Sequence, residues 1–458
     1  MLDPGIRSMT MPTRLKIAVV GTGISGLSAA WLLSRRHEVT LYERSDRVGG
    51  HSNTVMAAIG GKAIPVDTGF IVFNRATYPN LTALFKHLGI STQASNMSFG
   101  VSLDNGNLEY GGDGVAGLLA QPVNLFRRRF WSMLADINRF YREAARDATA
   151  EHFERLTLGE YLSRGHYGAA FRDDHLLPMA SAIWSASPSD MLEYPMASFI
   201  RFHANHGLLQ ISNRPIWETV SGGSIAYVRE LLRPLAGRVR LNAQVIRIRR
   251  FADRVSVFDQ KGATESFDHV ILATHADQAL AALEAPSPLE RSLLGAIRYS
   301  RNFAVLHSDE AHMPKRRAAW ASWNYIGPKT GPHERGCFTY WMNRLQNIPN
   351  RTPLFVTLNP NRPPRPETVH HSESYDHPVF DLRAIAAQRK LWALQGAQRT
   401  WFCGAHFGYG FHEDGLQAGL AVAEQLGGVR RPWSVPAESE RIFLPDRPPG
   451  TTTGEAAA

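Results

Sequence analysis

Residues Lys16–Thr54 read KIAVVGTGISGLSAAWLLSRRHEVTLYERSDRVGGHSNT, and their reading decides the fold. An apolar run, Ile17–Val20, leads into three glycines, Gly21, Gly23 and Gly26. A stretch of small residues, Leu27–Ser34, follows with helical character. A second apolar run, Val39–Tyr42, ends on Glu43, and a glycine pair, Gly49–Gly50, comes just after. Strand, tight turn, helix and parallel strand are the elements this order predicts.

Each residue type has a physical task in such a unit. Gly21 allows a sharp exit from the strand, Gly23 leaves room for a pyrophosphate to reach the backbone, and Gly26 lets the helix pack close to the sheet. The helix start offers free N–H groups and a positive dipole end to phosphates. Glu43, at roughly the 20-residue spacing expected of a ribose-binding acid, suits two hydroxyls and opposes a 2′-phosphate. The stretch therefore predicts a bound dinucleotide.

The 458-residue chain is long enough for two or three domains, and its 44% apolar content excludes a wholly disordered protein. A formal charge of +9 favours anionic partners. The basic residues are dispersed and match no recognition motif, so nucleic acid is not an expected partner. Two cysteines, Cys337 and Cys403, give neither a disulfide framework nor a metal spacing, which suits a reducing compartment. The N-terminus has no apolar signal region, and no run reaches the ~18 apolar residues of a membrane span. A cytoplasmic protein, with peripheral contact at the inner face of a membrane as a further possibility, is the expectation.

Further along, Ala63–Asn74 is extended around Asp67-Thr68-Gly69, Leu81–Leu88 is a short helix, and Phe99–Gly112 suggests a hairpin. Leu118–Ala145 is helical in pattern. Strand-like runs recur at Val239–Leu241, Gln244–Ile248, Val255–Phe258, Asp268–Thr274 and Thr400–Cys403, the last before a Gly/Ala-rich helix, Gly415–Leu426. Nucleotide-type sequence thus occupies 14–90, 215–285 and 395–428, and two blocks, 91–214 and 286–394, interrupt it. One discontinuous cofactor domain and one substrate domain built from the insertions are expected. A disordered lead, 1–13, and a C-terminal extension, 429–458, disordered from about 447, complete the division.

The segment Glu43–Thr54, ERSDRVGGHSNT, resembles the E-x-x-x-R-x-G-G-R-x-x-T pattern of flavin-containing amine oxidases, phytoene desaturases and protoporphyrinogen oxidases. Val66–Phe70 resembles their D-x-G-G segment, while Phe267–Thr274 and Trp401–Gly419 fall where their later flavin-binding segments belong. The C-terminal run is most similar to a bacterial branch known only as NAD/FAD-binding proteins. The resemblance implies an α/β fold (α+β overall): a Rossmann-like FAD-binding domain of the glutathione reductase type with an inserted mixed α/β substrate domain. It also implies non-covalent FAD, because this family passes the Gly49–Gly50 pair under the pyrophosphate.

Carried over residue by residue, Glu43 would hold the ribose, and Gly21, Gly23, Ser25 and Gly26 would meet the phosphates. Gly49 and Gly50 would line the cofactor, Gly69 and Phe70 would approach the flavin ring, and Val245 would offer backbone to the adenine. Gly404 and Glu413, Asp414, Gly415 and Leu416 would face the ribityl chain and the flavin O2. Three departures stand out. His51 occupies a position that is often Arg, leaving Arg44 or Arg47 to compensate. Ala405 replaces the usual ribityl acid, with His406 or Asp414 as stand-ins. No lysine marks itself as the one many amine oxidases hold near flavin N5.

His406 and His412 flank HFGYGFHED and read either as flavin-edge base or donor, or as loop supports. Glu413 and Asp414 read as helix caps or, alternatively, as catalytic acids. Cys403 reads as a small buried strand residue. Aromatic-polar clusters at Ile183–Ser185, Phe202–His206, Trp320–Tyr325, Tyr340–Asn343 and Tyr375–Phe380 suggest an apolar substrate pocket, with Tyr340 a further catalytic candidate, or ordinary core. His203 and His206 lack a metal-ligand spacing, and no metal is expected. Phe126–Trp131, FRRRFW, suits either an anionic bilayer or a solvated helix face with inward aromatics.

The function implied is an FAD-dependent oxidoreductase drawing hydride from a C–H or C–N bond of a small apolar substrate, with a desaturase on a lipid or isoprenoid-like chain favoured. The alternatives are an amine oxidase, a redox-neutral flavin-dependent isomerase of the fatty-acid or carotenoid type, and a flavin-binding module without catalysis.

Overall fold

The computed structural model describes residues 14–112, 114–147, 156–184, 186–205, 215–328, 336–349 and 351–445. The expected lead 1–13, the tail from 447, Ser185 and His206 lie outside these residues.

The opening stretch forms strand Lys16–Val20, helix Ile24–Leu33 and strand Glu38–Tyr42. Five parallel strands make one sheet in the order Val239–Arg240, Glu38–Tyr42, Lys16–Val20, His269–Leu272, Thr400–Phe402. Its central strands are buried on both faces, which is why they read as continuous apolar runs rather than alternating ones.

All ten residues of helix Ile24–Leu33 are buried, so an all-round apolar and small-residue sequence replaces the usual amphipathic stripe. Helix His412–Gly427 crosses it closely. A Cβ on Gly419 would lie 2.2 Å from the Ser25 carbonyl oxygen, and one on Gly415 would lie 2.8 Å from Ser25 Oγ. Glycine at both positions is what permits that crossing.

A three-stranded antiparallel sheet, Val245–Arg250, Val255–Asp259 and Thr264–Phe267, stands beside the parallel one. The larger second sheet has seven strands in the order Val369–Val379, Arg298–His307, Phe355–Leu358, Cys337–Trp341, Trp323–Gly327, Phe99–Leu103, Leu108–Gly111. Residues from both interrupting blocks meet in it, because Trp323–Gly327 pairs in parallel with Phe99–Leu103. Helices Arg128–Asp147, Leu177–Trp184 and Met196–Asn205 complete the second half.

One expectation needs correction. The helix expected over Leu118–Ala145 is broken into Gly114–Leu118, a 3₁₀ turn Pro122–Phe126, and Arg128–Asp147. Pro122 is the cause: it lacks an N–H and holds Gln121 extended at φ −119°. The mixed stretch 286–394 contains the longest strand pair of the sheet, Arg298–His307 against Val369–Val379.

The described part of the C-terminal extension packs onto the fold. Buried Arg431 bonds Glu424 and, at 2.8 Å, Asn80 Oδ1, while the Trp433 ring stacks 6.0 Å from that of Trp31.

Candidate functional site

A cavity of about 1180 Å³ runs from the glycine-rich turn into the seven-stranded half of the molecule. At one end it is walled by Gly21, Gly23, Ser25, Glu43, Arg44, Gly50 and Val245, and further in by His51, Gly69, Phe70, Gly404, His406 and His412. At the far end stand Phe99, Ile137, Trp184, Phe202, Trp323 and Tyr340.

The near end is built for a dinucleotide. Gly21 turns out of the strand at φ +102°, and a Cβ there would come within 2.7 Å of the Ala273 carbonyl oxygen. Gly23 caps helix Ile24–Leu33 with no side-chain hydrogen bond, so the first-turn N–H groups find no side-chain acceptor among the described residues. A Cβ on Gly23 would meet no protein atom within 4 Å; the space beside it is cavity. The Glu43 carboxylate is fixed at the strand end: it accepts from Thr22 N at 3.2 Å, from Ser45 N at 3.0 Å, and from the Thr22 hydroxyl. Thr22, a position within the glycine fingerprint, is the support that sequence reasoning missed.

Gly50, at φ +57°, brings the glycine pair against the turn, where its Cβ would stand 3.0 Å from Gly23 Cα. Arg47 does not reach the phosphate end as a free cation; it donates to Gly50 O at 2.8 Å and pairs with Glu373 at 3.1 Å. Arg44 is exposed at the cavity rim.

His51 lines the cavity beside Tyr375 and His377. Its ring lies 5.0 Å from Tyr375 and 5.2 Å from His377, and its Nε2 is buried without a hydrogen-bond partner among the described residues. Burial, with the neighbouring His377, holds its pKa well below the usual imidazole value. His406 also leaves a buried Nε2 without a partner among the described residues, and burial, with a smaller effect of His275, lowers its pKa to about 3.

His412 stacks on Phe70 with centroids 3.8 Å apart and planes 11° apart. Its Nε2 lies 2.7 Å from Tyr227 OH and 3.0 Å from Ser52 Oγ. Burial lowers its pKa to about 3, so it sits neutral as a hydrogen-bonded wedge behind Phe70.

Several expected cofactor contacts lie behind the cavity wall. Glu413 caps a different helix from its own: its carboxylate accepts from Asn80 N, Asn80 Nδ2 and Leu81 N at the start of Pro79–Leu88, at 3.1, 2.9 and 3.0 Å. Asp414 accepts from Phe411 N at 2.8 Å, capping its own helix, and pairs with Arg441 at 2.7 Å. Both acids are fully buried by these contacts, and burial raises both pKa values. Gly415 is spent on the helix crossing, and Leu416 is core.

Gly26 sits 2.0 Å (Cβ to oxygen) under the Gly21 carbonyl, and Gly49 donates to Thr22 O at 3.1 Å, so both shape the turn rather than line the cavity. Cys403 is buried strand, its thiol pKa raised by burial. His203 bonds Phe199 O at 2.9 Å, and no group of metal-holding side chains occurs among the described residues.

Asp67 ties the Asp-Thr-Gly segment to Ser224 (N at 3.0 Å, Oγ at 2.7 Å) and to Thr54 Oγ1 at 2.6 Å. Burial nonetheless lifts its pKa to about 6.

The far end of the cavity differs in character. Its aromatic and aliphatic walls include no Asp, Glu, Lys or Arg among the described residues. The carboxylates elsewhere on the lining are engaged: Glu43 as above, Glu373 with Arg47, and Asp376 with Arg301 at 3.2 Å. No described lysine lines the cavity. Tyr340 is buried there, its ring 4.9 Å from Trp323.

Comparison with known proteins agrees with this geometry. The family model of flavin containing amine oxidoreductases matches residues 24–358. A Mycobacterium tuberculosis protein named a flavin-containing monoamine oxidase is 28% identical over 284 residues, 61% of this chain; the match spans 61% of that relative's length. Cyclohexylamine oxidase from Brevibacterium oxydans superposes with a TM-score of 0.64 at 17% identity, covering 90% of this chain and 100% of that one. A CLA-producing fatty acid isomerase from P. acnes gives 0.61 at 17% identity, covering 90% and 98%. At these identities the two structures show a shared fold.

No helix among the described residues is long and apolar enough to cross a membrane. The uncapped helix start, the open space at Gly23 and the fixed Glu43 carboxylate fit FAD, which is the cofactor. With its doubly flanked glycine turn, its glycine pair and the matched span from residue 24 to 358, the chain belongs to the flavin containing amine oxidoreductase family.

Proposed function

We propose that this protein is an FAD-dependent oxidoreductase that removes a hydride from one carbon of an apolar, lipid or isoprenoid-like substrate, with loss of a proton from the neighbouring carbon to solvent, leaving a C=C bond. One observation carries the reading: the far end of an 1180 Å³ cavity is walled by apolar and aromatic side chains, and every carboxylate on the lining already has a partner. A protonated amine placed there would lose its hydration without gaining a counter-charge, which costs several kcal/mol on the order-of-magnitude scale for buried ions. A hydrocarbon chain loses nothing by the same transfer.

FAD, when bound, supplies the hydride acceptor. The chain's own residues position and seclude. Trp184, Phe202 and Trp323 give the far end an apolar lining. His412 holds Phe70 in place through Tyr227 and Ser52. Helix His412–Gly427 begins at the cavity wall, with Glu413 committed to the start of helix Pro79–Leu88 and Asp414 to its own helix cap and to Arg441.

The names of the curated relatives support a second reading, oxidation of an amine, which here requires an amine that binds uncharged or against aromatic faces. Anaerobic mixing of the holoprotein with long-chain acyl lipids, isoprenoids and a series of amines tests the two. Bleaching of the flavin band near about 450 nm by an apolar compound supports desaturation. Bleaching by amines alone overturns it, and bleaching by neither points to a flavin module without catalysis of its own.

A further inference from the structure

We infer that the segment Gly114–Trp131 is a docking surface for an anionic lipid bilayer, placed at the opening of the substrate end of the cavity. Three large apolar side chains of this segment stand out from the fold: Phe126 is 86% exposed, Val115 72% and Trp131 52%. Val123 and Leu125 extend the same ridge. Exposed apolar residues scattered singly mean little, but a contiguous cluster marks an interaction surface.

The ridge is held in shape. The Trp131 indole N–H donates to Leu125 O at 2.8 Å, which satisfies its polar atom within the protein and leaves the ring face outward. Asn124 anchors the intervening 3₁₀ turn by donating to Glu109 O at 3.0 Å. Of the aromatics in FRRRFW, Phe130 alone is turned inward; Phe126 and Trp131 are not core.

Charge decides which partner fits. Arg129 is matched by Asp174, Arg316 by Glu109 and Arg317 by Glu310. Arg127, Arg128 and Lys315 form no ion pair among the described residues. Arg127 instead donates to Asn107 O at 2.6 Å, and Lys315 lies against Gly106 of the same loop. Exposed Asp104 also sits on this loop and offsets part of the charge. Cations beside an aromatic ridge are the arrangement that sets basic side chains on headgroups and rings at the interface.

The ridge is continuous with the cavity. Leu118, one turn after Val115 on helix Gly114–Leu118, lines the cavity, as do Ile216 and the Leu134 and Ile137 side chains of the helix that carries Trp131. An apolar path therefore joins the exposed surface to the chamber. That the bilayer supplies the substrate rests on the function proposed above; the docking itself does not.

The test is vesicle co-sedimentation of the full chain in its FAD-bound form, without substrate. Vesicles of phosphatidylcholine alone are compared with vesicles that also contain phosphatidylglycerol. The protein is expected to sediment with the anionic vesicles and to be released by salt. Arg127→Gln with Arg128→Gln should weaken binding roughly fivefold per arginine, at about 1 kcal/mol each. Phe126→Ser with Trp131→Ser should abolish it, and both double variants should keep wild-type flavin content as a check on folding. Equal binding to neutral and anionic vesicles, or wild-type binding by the serine variant, overturns the inference. So does a finding that the ridge joins two copies of the chain, seen as a dimer that the serine variant breaks without any vesicle binding by the wild type.

Discussion

Replacing Gly23 by alanine separates the phosphate cradle from the fold. Gly23 has φ −66° and ψ 177°, a conformation open to any residue, and an added Cβ would meet no protein atom within 4 Å. The change should therefore cost the apoprotein about 1 kcal/mol or less, the penalty of alanine in place of glycine at a helix cap. The methyl group would, however, take up cavity volume beside the uncapped helix start. Losing one charge-assisted hydrogen bond to a phosphate is worth about 1.5–3 kcal/mol, roughly a tenfold to hundredfold loss in FAD affinity. Gly26→Ala should behave oppositely, since its Cβ would fall 2.0 Å from Gly21 O and 3.1 Å from the Ala273 side chain. The helix would have to move, at a cost of about 1–3 kcal/mol or more to the apoprotein. Urea unfolding of both apoproteins and FAD titration by flavin fluorescence check the pair. Wild-type FAD affinity in Gly23→Ala, or an apoprotein as destabilised as Gly26→Ala, would refute the reasoning.

The buried histidines predict acid sensitivity. His203 and His377, near 4, and His406 and His412, near 3, have folded pKa values below the unfolded value, so the unfolded state binds more protons between those values and 6.5. Stability then falls as pH drops through this window, by about 2 kcal/mol per histidine at pH 5. His406→Phe should remove about that much of the difference between urea midpoints at pH 7 and pH 5. Asp67 works in the other direction: its folded pKa near 6 makes it stabilising as pH falls from 7 toward 4, and Asp67→Asn should make stability fall more steeply over that range. Arg441→Ala leaves Asp414 buried without its cation and should cost about 3–5 kcal/mol in thermal or urea unfolding. His412→Ala removes the Phe70 stack and two hydrogen bonds; it should cost about 2–3 kcal/mol and shift the bound flavin's absorbance bands.

Local chemistry was legible in the sequence where local chemistry fixes structure. The turn at Gly21 and Gly23, the buried helix after it and the acid at the end of the second strand all follow from residue types a few positions apart. Long-range partners were not. Glu413 reads as a cap on its own helix, and nothing near it indicates that Asn80 and Leu81, over 300 positions earlier, take its carboxylate instead. Strand Val369–Val379 was hidden for another reason: its VHHSESYDHPV sequence is polar and histidine-rich, and its partner lies about 70 residues away. His51 illustrates the same limit within the site. Its neighbours Tyr375 and His377 come from that strand, so its ring contacts could not be read from ERSDRVGGHSNT.

The central claim is tested most directly in a single anaerobic turnover. Oxidised holoprotein is mixed with a stoichiometric apolar lipid, and flavin absorbance and lipid mass are followed together. The account predicts that the flavin bleaches while the lipid becomes two hydrogens lighter. A lipid rearranged at unchanged mass with the flavin again oxidised would contradict it in favour of isomerisation, and an unchanged lipid beside an amine that does bleach the flavin would contradict it in favour of amine oxidation.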